Sequence, residues 1–349
     1  MRRGWGCLAL VLLTACSGDP QLVPVVAQEV AGARSPGPVP ATASARVGPD
    51  DVEVFTNGAV ATAALVAAVS GAHRSIDAEI YEFDRPDLVA AMLAALRRGV
   101  AVRLIADPTV DITVGTAHRL AAAGAVVDFF PDKPQQIDHV KLLLVDGERA
   151  FFGGFNWGSR SYANQDYEVR LQGPAVPRLE RLFSTDLGRA GTRAPSPPDT
   201  PADPSEPRLL TSFPVDQIGQ AVVTALRGAR HSIEVEMFVM TDVATIAALV
   251  DAPRRGLDVQ VLFDPGQDLN QAAMVKLRAA GVRCRFYRSH GEKLHAKVAV
   301  IDGDLLILGS ANWTASGFRH NHELDTVLVQ PRLAAAVRAR MDADWRAAA

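Results

Sequence analysis

Cysteine is scarce in this chain. Cys7, Cys16 and Cys284 are the three cysteines among its 349 residues. The first two lie in an N-terminal segment that has the pattern of a targeting signal, which leaves Cys284 without an evident partner. A disulfide framework is therefore excluded, and the Cys284 side chain is expected to be a small buried apolar group.

A surplus of positive charge is also missing. Lysine and arginine number 36 against 39 aspartates and glutamates, for a net charge of −3. Proteins dedicated to nucleic acid usually carry a basic excess, because they neutralise phosphates. The overall charge argues against that class. A local stripe of basic residues keeps nucleic acid open as a less favoured partner: Arg278, Arg283, Arg285, Arg288 and Lys293.

No hydrophobic run reaches the roughly 20 residues of a membrane-spanning helix. The N-terminus instead has two arginines, a short apolar run and the tetrad Leu-Thr-Ala-Cys ending at Cys16. This tetrad resembles a bacterial lipobox, so residues 1–15 are predicted to be a lipoprotein signal peptide and Cys16 the lipid attachment site. Prolines across residues 16–50 predict a flexible tether. We expect a protein anchored by lipid in the bacterial cell envelope, on the periplasmic or outer-membrane side.

The rest of the chain is an internal duplication. The segment 74–79 matches 231–236, and 102–108 matches 259–265, both at a separation of 157 residues. Strands alternate with helical patterns in each copy, which predicts an α/β fold of two sandwich halves with mixed sheets. The predicted halves cover residues 51–189 and 208–349, with a proline-rich linker at 190–207.

Each half carries the same polar motif, His-x-Lys-x4-Asp, followed ten residues later by Asn. Alternate residues of a strand share a face, so the His and the Lys of each motif should point together. The Asp-Gly pairs after the strands predict hairpin turns, which favours a turn role for both aspartates. The members of the two sets are His139, Lys141, Asp146 and Asn156, then His295, Lys297, Asp302 and Asn312.

Two lysines and two amides suit a phosphate that gains negative charge, and two imidazoles suit attack and leaving-group protonation. Glu168 and Glu323 follow the histidines at similar distances and are candidates to hold an imidazole nitrogen. The expected ligands of a metal cage do not accompany these motifs, so the residues predict phosphodiester chemistry with no metal and no cofactor. Glu79, Glu236 and the run 320–322 are weaker candidates for the site or its entrance, and ordinary surface roles fit them as well.

At these residues the chain resembles the phospholipase D superfamily, with both of its His-Lys-Asp motifs in one polypeptide. The resemblance covers roughly residues 51–346. It implies a two-lobed fold with the active site between the halves and a phosphohistidine intermediate, in which His139 attacks phosphorus and His295 protonates the leaving group. It also implies phosphate contacts from Asn156, Asn312 and Ser310. The first copy has Gly154 where the family pattern has serine.

The resemblance leaves the substrate open. The anchor, the exported location and the lack of basic surplus favour a phospholipid, cleaved to phosphatidic acid and a free head group. The alternatives are phosphatidyl transfer of the cardiolipin synthase type and an envelope nuclease or phosphodiesterase. Because both motifs lie in one chain, a monomer is expected.

Overall fold

The computed structural model describes residues 39–131, 136–161, 163–192, 196–198, 201, 203–288 and 291–348. The predicted signal peptide, Cys16 and most of the predicted tether lie outside these ranges. Within them, no helix is both long and apolar enough to cross a membrane.

Among the described residues, the first half contains eight strands and four helices. In chain order they are β1 (Thr42–Val47), β2 (Asp50–Phe55), α1 (Gly58–Ser70), β3 (Ser75–Ile80), α2 (Pro86–Arg97), β4 (Ala101–Ala106), α3 (Asp111–Ala122), β5 (Val126–Phe129), β6 (Lys141–Val145), β7 (Arg149–Gly153), β8 (Glu168–Gln172) and α4 (Val176–Ala190). The sheet has the order β1-β2-β8-β7-β6-β3-β4-β5. Strands β3, β4 and β5 are parallel and the remaining pairs are antiparallel.

The second half repeats this plan. Its elements are β9 (Arg208–Thr211), α5 (Gln217–Gly228), β10 (Ser232–Met237), α6 (Val243–Asp251), β11 (Asp258–Phe263), α7 (Asn270–Ala279), β12 (Arg283–Phe286), β13 (Lys297–Ile301), β14 (Leu305–Gly309), α8 (Ala315–Arg319), β15 (Leu324–Val329) and α9 (Pro331–Ala347). The seven-stranded sheet has the order β12-β11-β10-β13-β14-β15-β9. Two mixed sheets with flanking helices confirm the predicted α/β fold.

Alternating residues of the motif strands divide the apolar cores. Leu142 and Leu144 join a central core that also contains Val298 and Val300 of the other half. Leu143 and Val145, the alternate residues of β6, instead pack with α1, α2 and α3 on the outer face of the first sheet. Helices α5, α6 and α7 cover the outer face of the second sheet in the same way. The two sheets therefore share one central core, and the strands β6 and β13 that follow the two histidines both line it.

The start of the body differs from the prediction. The stretch 16–50 was predicted to be a tether, yet β1 lies within it and pairs along its whole length with β2 at the edge of the first sheet. The turn between them uses Gly48 in the left-handed region, with φ of 57°, which glycine adopts without a steric penalty. The residues of β1 are mostly small, so the sequence lacks the alternation of large apolar and polar residues that predicts a strand.

The two motif aspartates close equivalent hairpins. Asp146 and Asp302 have φ of 57° and 53° and precede glycines that are also in the left-handed region. The Asp146 carboxylate accepts the backbone N–H groups of residues 73, 74 and 75 at 2.7–3.1 Å. Asp302 accepts those of residues 230, 231 and 232 at 2.7–3.0 Å. Both aspartates tie the hairpin to the strand beside it, as the predicted turn role requires.

We expect Asp146→Ala and Asp302→Ala each to lower the free energy of unfolding by about 1–3 kcal/mol, because three backbone N–H groups lose a charged acceptor. Burial raises the pKa of the Asp146 carboxyl group, but the backbone N–H donors lower it by a larger amount. The net pKa therefore lies below the usual range. The stabilisation is therefore present above the unfolded-state pKa of about 3.9 and is lost as the pH falls below it. Urea unfolding at pH 7 and pH 3 measures both effects, and an equal loss at the two pH values would contradict this role.

Candidate active site

The two motif histidines face each other. His139 precedes β6 and His295 precedes β13, at the same end of the two central strands. Their ring centroids are 6.4 Å apart, and the residues are only 5% and 7% exposed. Two imidazoles at this separation leave space for one tetrahedral phosphorus between them, which is the arrangement that in-line attack and leaving-group protonation require.

Each histidine is oriented by a carboxylate from the opposite half. His139 Nδ1 lies 2.8 Å from Glu323 Oε2, and His295 Nδ1 lies 2.7 Å from Asp166 Oδ2. A carboxylate on Nδ1 fixes the ring and its tautomer and leaves Nε2 as the nitrogen for chemistry. The crossed contacts mean that neither half completes its own histidine.

The prediction for Glu323 agrees with this geometry, whereas the one for Glu168 is corrected. Glu168 begins β8 and is fully buried, and burial raises the pKa of its carboxyl group well above the usual range. Asp166, two residues earlier, holds the imidazole instead. Glu168 matches Asp325 of the second half at a separation of 157, and Asp166 matches Glu323 at the same separation. The number of residues between histidine and carboxylate differs between the halves, so a comparison of spacings leads to Glu168 instead of Asp166.

Ser310 contacts the carboxylate that holds His139. Its hydroxyl donates to Glu323 Oε2 at 2.6 Å and accepts the backbone N–H of Leu324. These bonds make Ser310 a positioning residue for Glu323, and its predicted contact with phosphate stays a prediction. At Gly154, the matching position, a Cβ would clash with the Asp166 carboxylate. Glycine at position 154 leaves room for the Asp166 side chain. The first half thus differs from the second at two matching positions: Gly154 replaces Ser310, and Asp166 replaces Glu323.

The two lysines lie beneath the histidines and are fully buried. Lys141 Nζ donates to the carbonyl of His139 at 2.6 Å, and Lys297 Nζ lies within 3.1 Å of both ring nitrogens of His295. Burial is the main cause that lowers the lysine pKa values, to about 7 for Lys141 and about 8 for Lys297. A bound phosphodiester would favour the charged lysines, because its anionic oxygens offset the desolvation.

The same burial keeps both imidazoles neutral. It lowers the pKa of His139 well below the usual range and that of His295 to about 3, and the nearby lysine ammonium groups lower both further. Burial also raises the pKa of Glu323 to about 7. A neutral imidazole is the form that attacks phosphorus, whereas a proton donor needs the negative charge of a bound phosphodiester to raise its pKa.

A pair of aromatic rings belongs to the site but was missed in the sequence. Tyr81 lies 5.0 Å from the His139 ring and 5.2 Å from Lys141 Nζ. Phe238 lies 4.8 Å from the His295 ring and 5.2 Å from Lys297 Nζ. Both rings follow the repeated strands β3 and β10 at a separation of 157 residues, so the duplication itself could have identified them. They form an apolar wall against each histidine and lysine.

The asparagines follow the neighbouring strands. Asn156 comes after β7 and Asn312 after β14, and both are half-buried. Asn156 Nδ2 donates to Glu82 Oε2 at 3.2 Å, and the Oδ1 atoms of both asparagines have no hydrogen-bond partner within the described residues. Their predicted contacts with phosphoryl oxygens stay predictions.

The run 320–322 does not line an entrance with both of its histidines. His322 is fully buried, where its Nε2 lies 2.9 Å from Asp186 Oδ2, and only His320 is exposed. Glu79, a weak candidate from the sequence, is buried beside His322, with 3.4 Å between Oε1 and Nε2.

Comparisons with known proteins agree with this geometry. A family model described as "Cardiolipin synthase, PLD-like domain" matches residues 65–186 and 222–345. The chain is 26% identical over 328 residues to cardiolipin synthase A of Pseudomonas fluorescens, across 85% of this chain and 68% of the relative. It is 27% identical over 308 residues to cardiolipin synthase A of Yersinia pseudotuberculosis, across 76% of this chain and 63% of the relative.

Solved structures show the same fold. Phosphatidylserine synthase of Haemophilus influenzae superimposes with a TM-score of 0.62 at 10% identity, over 85% of each chain. Polyphosphate kinase of Porphyromonas gingivalis gives a TM-score of 0.60 at 16% identity, over 85% of this chain and 47% of that one. With two matched domains and one complete motif in each, the chain belongs to the phospholipase D superfamily and is an enzyme of its phosphodiesterase and transphosphatidylase class.

Proposed function

We propose that this enzyme transfers a phosphatidyl group between phospholipids, in the manner of a cardiolipin synthase. The observation that carries the chemistry is the facing pair of histidines, each held by a carboxylate of the other half. The similarity to two cardiolipin synthases over most of the chain favours transfer over the hydrolysis expected from the sequence.

The proposed reaction has two steps. His139 Nε2 attacks phosphorus, the bond to the head-group oxygen breaks, and that oxygen takes a proton from His295. The hydroxyl of a second lipid then gives its proton to His295 and attacks phosphorus, which breaks the P–N bond and frees His139. With water as the acceptor the same two steps yield phosphatidic acid. Lys141 and Lys297 neutralise the phosphoryl oxygens, where negative charge grows as phosphorus becomes pentacoordinate.

The product distinguishes the two outcomes. Cardiolipin carries two phosphatidyl groups on one glycerol, so transfer between two phosphatidylglycerol molecules yields cardiolipin and glycerol. We expect the chain without residues 1–16 to form cardiolipin in phosphatidylglycerol vesicles, as seen by mass spectrometry of the lipids. Phosphatidic acid as the sole product would return the assignment to hydrolysis. Cleavage of single-stranded DNA with no change in lipid would favour the nuclease alternative.

We further propose that a lipid on Cys16 holds the enzyme at the envelope membrane. The support is the pattern of the N-terminal sequence, because the lipid of a lipoprotein attaches to the cysteine thiol. We expect Cys16→Ser to leave the membrane fraction or to remain unprocessed, as judged by fractionation and intact mass. Cys284→Ser is a matched control, because that thiol is buried in the second half. A Cys16→Ser protein that is processed and stays in the membrane fraction would show that another feature anchors it.

A further inference from the structure

A second cluster of titratable side chains lies beneath the active site, on the side of the first half. It consists of Glu79, Asp138, Asp186 and His322, which are all 0% exposed. Ligand atoms of Glu79, Asp138 and His322 lie within 4.8 Å of one another. The rings of Phe130 and Phe213 pack edge-on against His322, with centroids 5.5 Å and 6.3 Å away, and shield the cluster from water.

With all three carboxylates ionised, the cluster has more negative charge than Arg189 and a protonated His322 neutralise. Asp186 is paired with Arg189 at 2.7 Å and with His322 at 2.9 Å. Neither oxygen of Glu79 has a hydrogen bond within the described residues, and the same holds for Asp138 Oδ2 and His322 Nδ1. Buried carboxylate oxygens that accept no hydrogen bond are costly. Because ligand atoms of Glu79, Asp138 and His322 lie within 4.8 Å of one another, a positive charge between them would offset that cost.

The distances suit a small cation. His322 Nε2 and Glu79 Oε1 are 3.4 Å apart, and two ligands of a tetrahedral zinc ion, each about 2.0–2.2 Å from the metal, are separated by about 3.3–3.6 Å. One imidazole with carboxylates is a ligand set that zinc accepts. Asp186 Oδ2 lies 2.9 Å from the same Nε2, so Asp186 can serve as a fourth ligand.

The pseudo-twofold axis provides an internal comparison. Asp138 forms a bridge with His322, and the matching bridge in the other half joins Leu294 to Gln165. The glutamate is retained there as Glu236, whose carboxylate accepts the Tyr167 hydroxyl at 2.8 Å. Duplication therefore kept the backbone frame and one carboxylate on both sides, but only the first side combines an imidazole with a second carboxylate.

We propose that Glu79, Asp138 and His322, with Asp186, bind one divalent transition-metal ion of the zinc type, which acts as a structural clamp between the halves. The clamp would act directly next to the chemistry, because the backbone N–H of His139 donates to the carbonyl of His322 at 2.8 Å. Glu79 and Asp138 belong to the first half and His322 to the second, so the ion would link the two halves beside this hydrogen bond. It takes no part in the reaction at the histidines, and the proposal is independent of the substrate.

Metal content tests the proposal without reference to activity. The chain without residues 1–16, produced in zinc-supplemented medium and freed of its affinity tag, is dialysed against EDTA and measured by plasma mass spectrometry. We expect about one zinc ion per chain, since the site is closed to solvent. A total of all transition metals below about a tenth of an equivalent would overturn the proposal and leave shared protons as the stabilising charge.

Two variants decide where the ion is. His322→Gln introduces the residue that the matching position carries, and we expect it to lose the metal. Glu236→Gln alters the matching cluster and should retain about one equivalent. Equal metal in His322→Gln and the parent would overturn the assignment. If His322→Gln does not fold, the parent protein refolded with Co²⁺ provides the test: visible d–d absorption bands of a bound ion support the site, and their absence overturns it.

Discussion

Replacing either active-site histidine with alanine is expected to lower kcat by at least about 10³-fold, because a nucleophile and its proton donor act as a unit. His139→Ala removes the atom that bonds to phosphorus, and His295→Ala removes the group that protonates the leaving oxygen. The double variant should be no slower than the singles by more than a small factor. Turnover of phosphatidylglycerol and thermal unfolding of each variant measure the effect and check the fold.

The two single variants differ in their response to the leaving group. A p-nitrophenyl phosphodiester needs little protonation when it departs, so His295→Ala should still release nitrophenolate in a first turnover, whereas His139→Ala should not. A burst from His139→Ala and none from His295→Ala would exchange the roles of the two residues.

The carboxylates that hold the histidines are expected to have the next largest effect. Asp166→Asn and Glu323→Gln should lower kcat by about 10²–10⁴-fold, since an amide on Nδ1 no longer fixes the tautomer that leaves Nε2 free. As positioning residues they should change KM much less than kcat. The steady-state parameters of the two variants measure this difference.

Glu168→Gln is the matched control for Asp166→Asn. Glu168 is fully buried two residues away, and burial favours its neutral form, which glutamine resembles. We expect its kcat to stay within a few-fold of the parent value. A loss in Glu168→Gln as large as that in Asp166→Asn would restore Glu168 to the place that the sequence comparison gave it.

The parts of the site within one half could be predicted from the sequence. The pairing of His139 with Lys141, the repeat of that pair at His295, and the turn at Asp146 depend on residues close together in one hairpin. Strand periodicity and turn chemistry act over such short distances. Because the chain is duplicated, the equivalent residues of the second half could be predicted from those of the first.

The contacts across the two halves could not be predicted in the same way. Asp166 contacts His295 across 129 residues of sequence, and Glu323 contacts His139 across 184. Which carboxylate reaches which ring depends on how the halves pack, and that packing comes from apolar residues such as Leu142 and Val298 that carry no functional pattern. The burial of His322 follows from the same packing, because it lies among residues of the first half.

The most direct test of the account is to identify the covalent intermediate. His295→Ala is mixed with a p-nitrophenyl phosphodiester, quenched in alkaline denaturant to preserve phosphohistidine, and digested for mass spectrometry. The account predicts that the substrate's phosphoryl group is attached to His139 in this variant and that no histidine is modified in His139→Ala. A nitrophenolate burst with no adduct on any histidine, in either variant or in the parent enzyme, would contradict covalent catalysis and indicate direct attack by the acceptor on phosphorus.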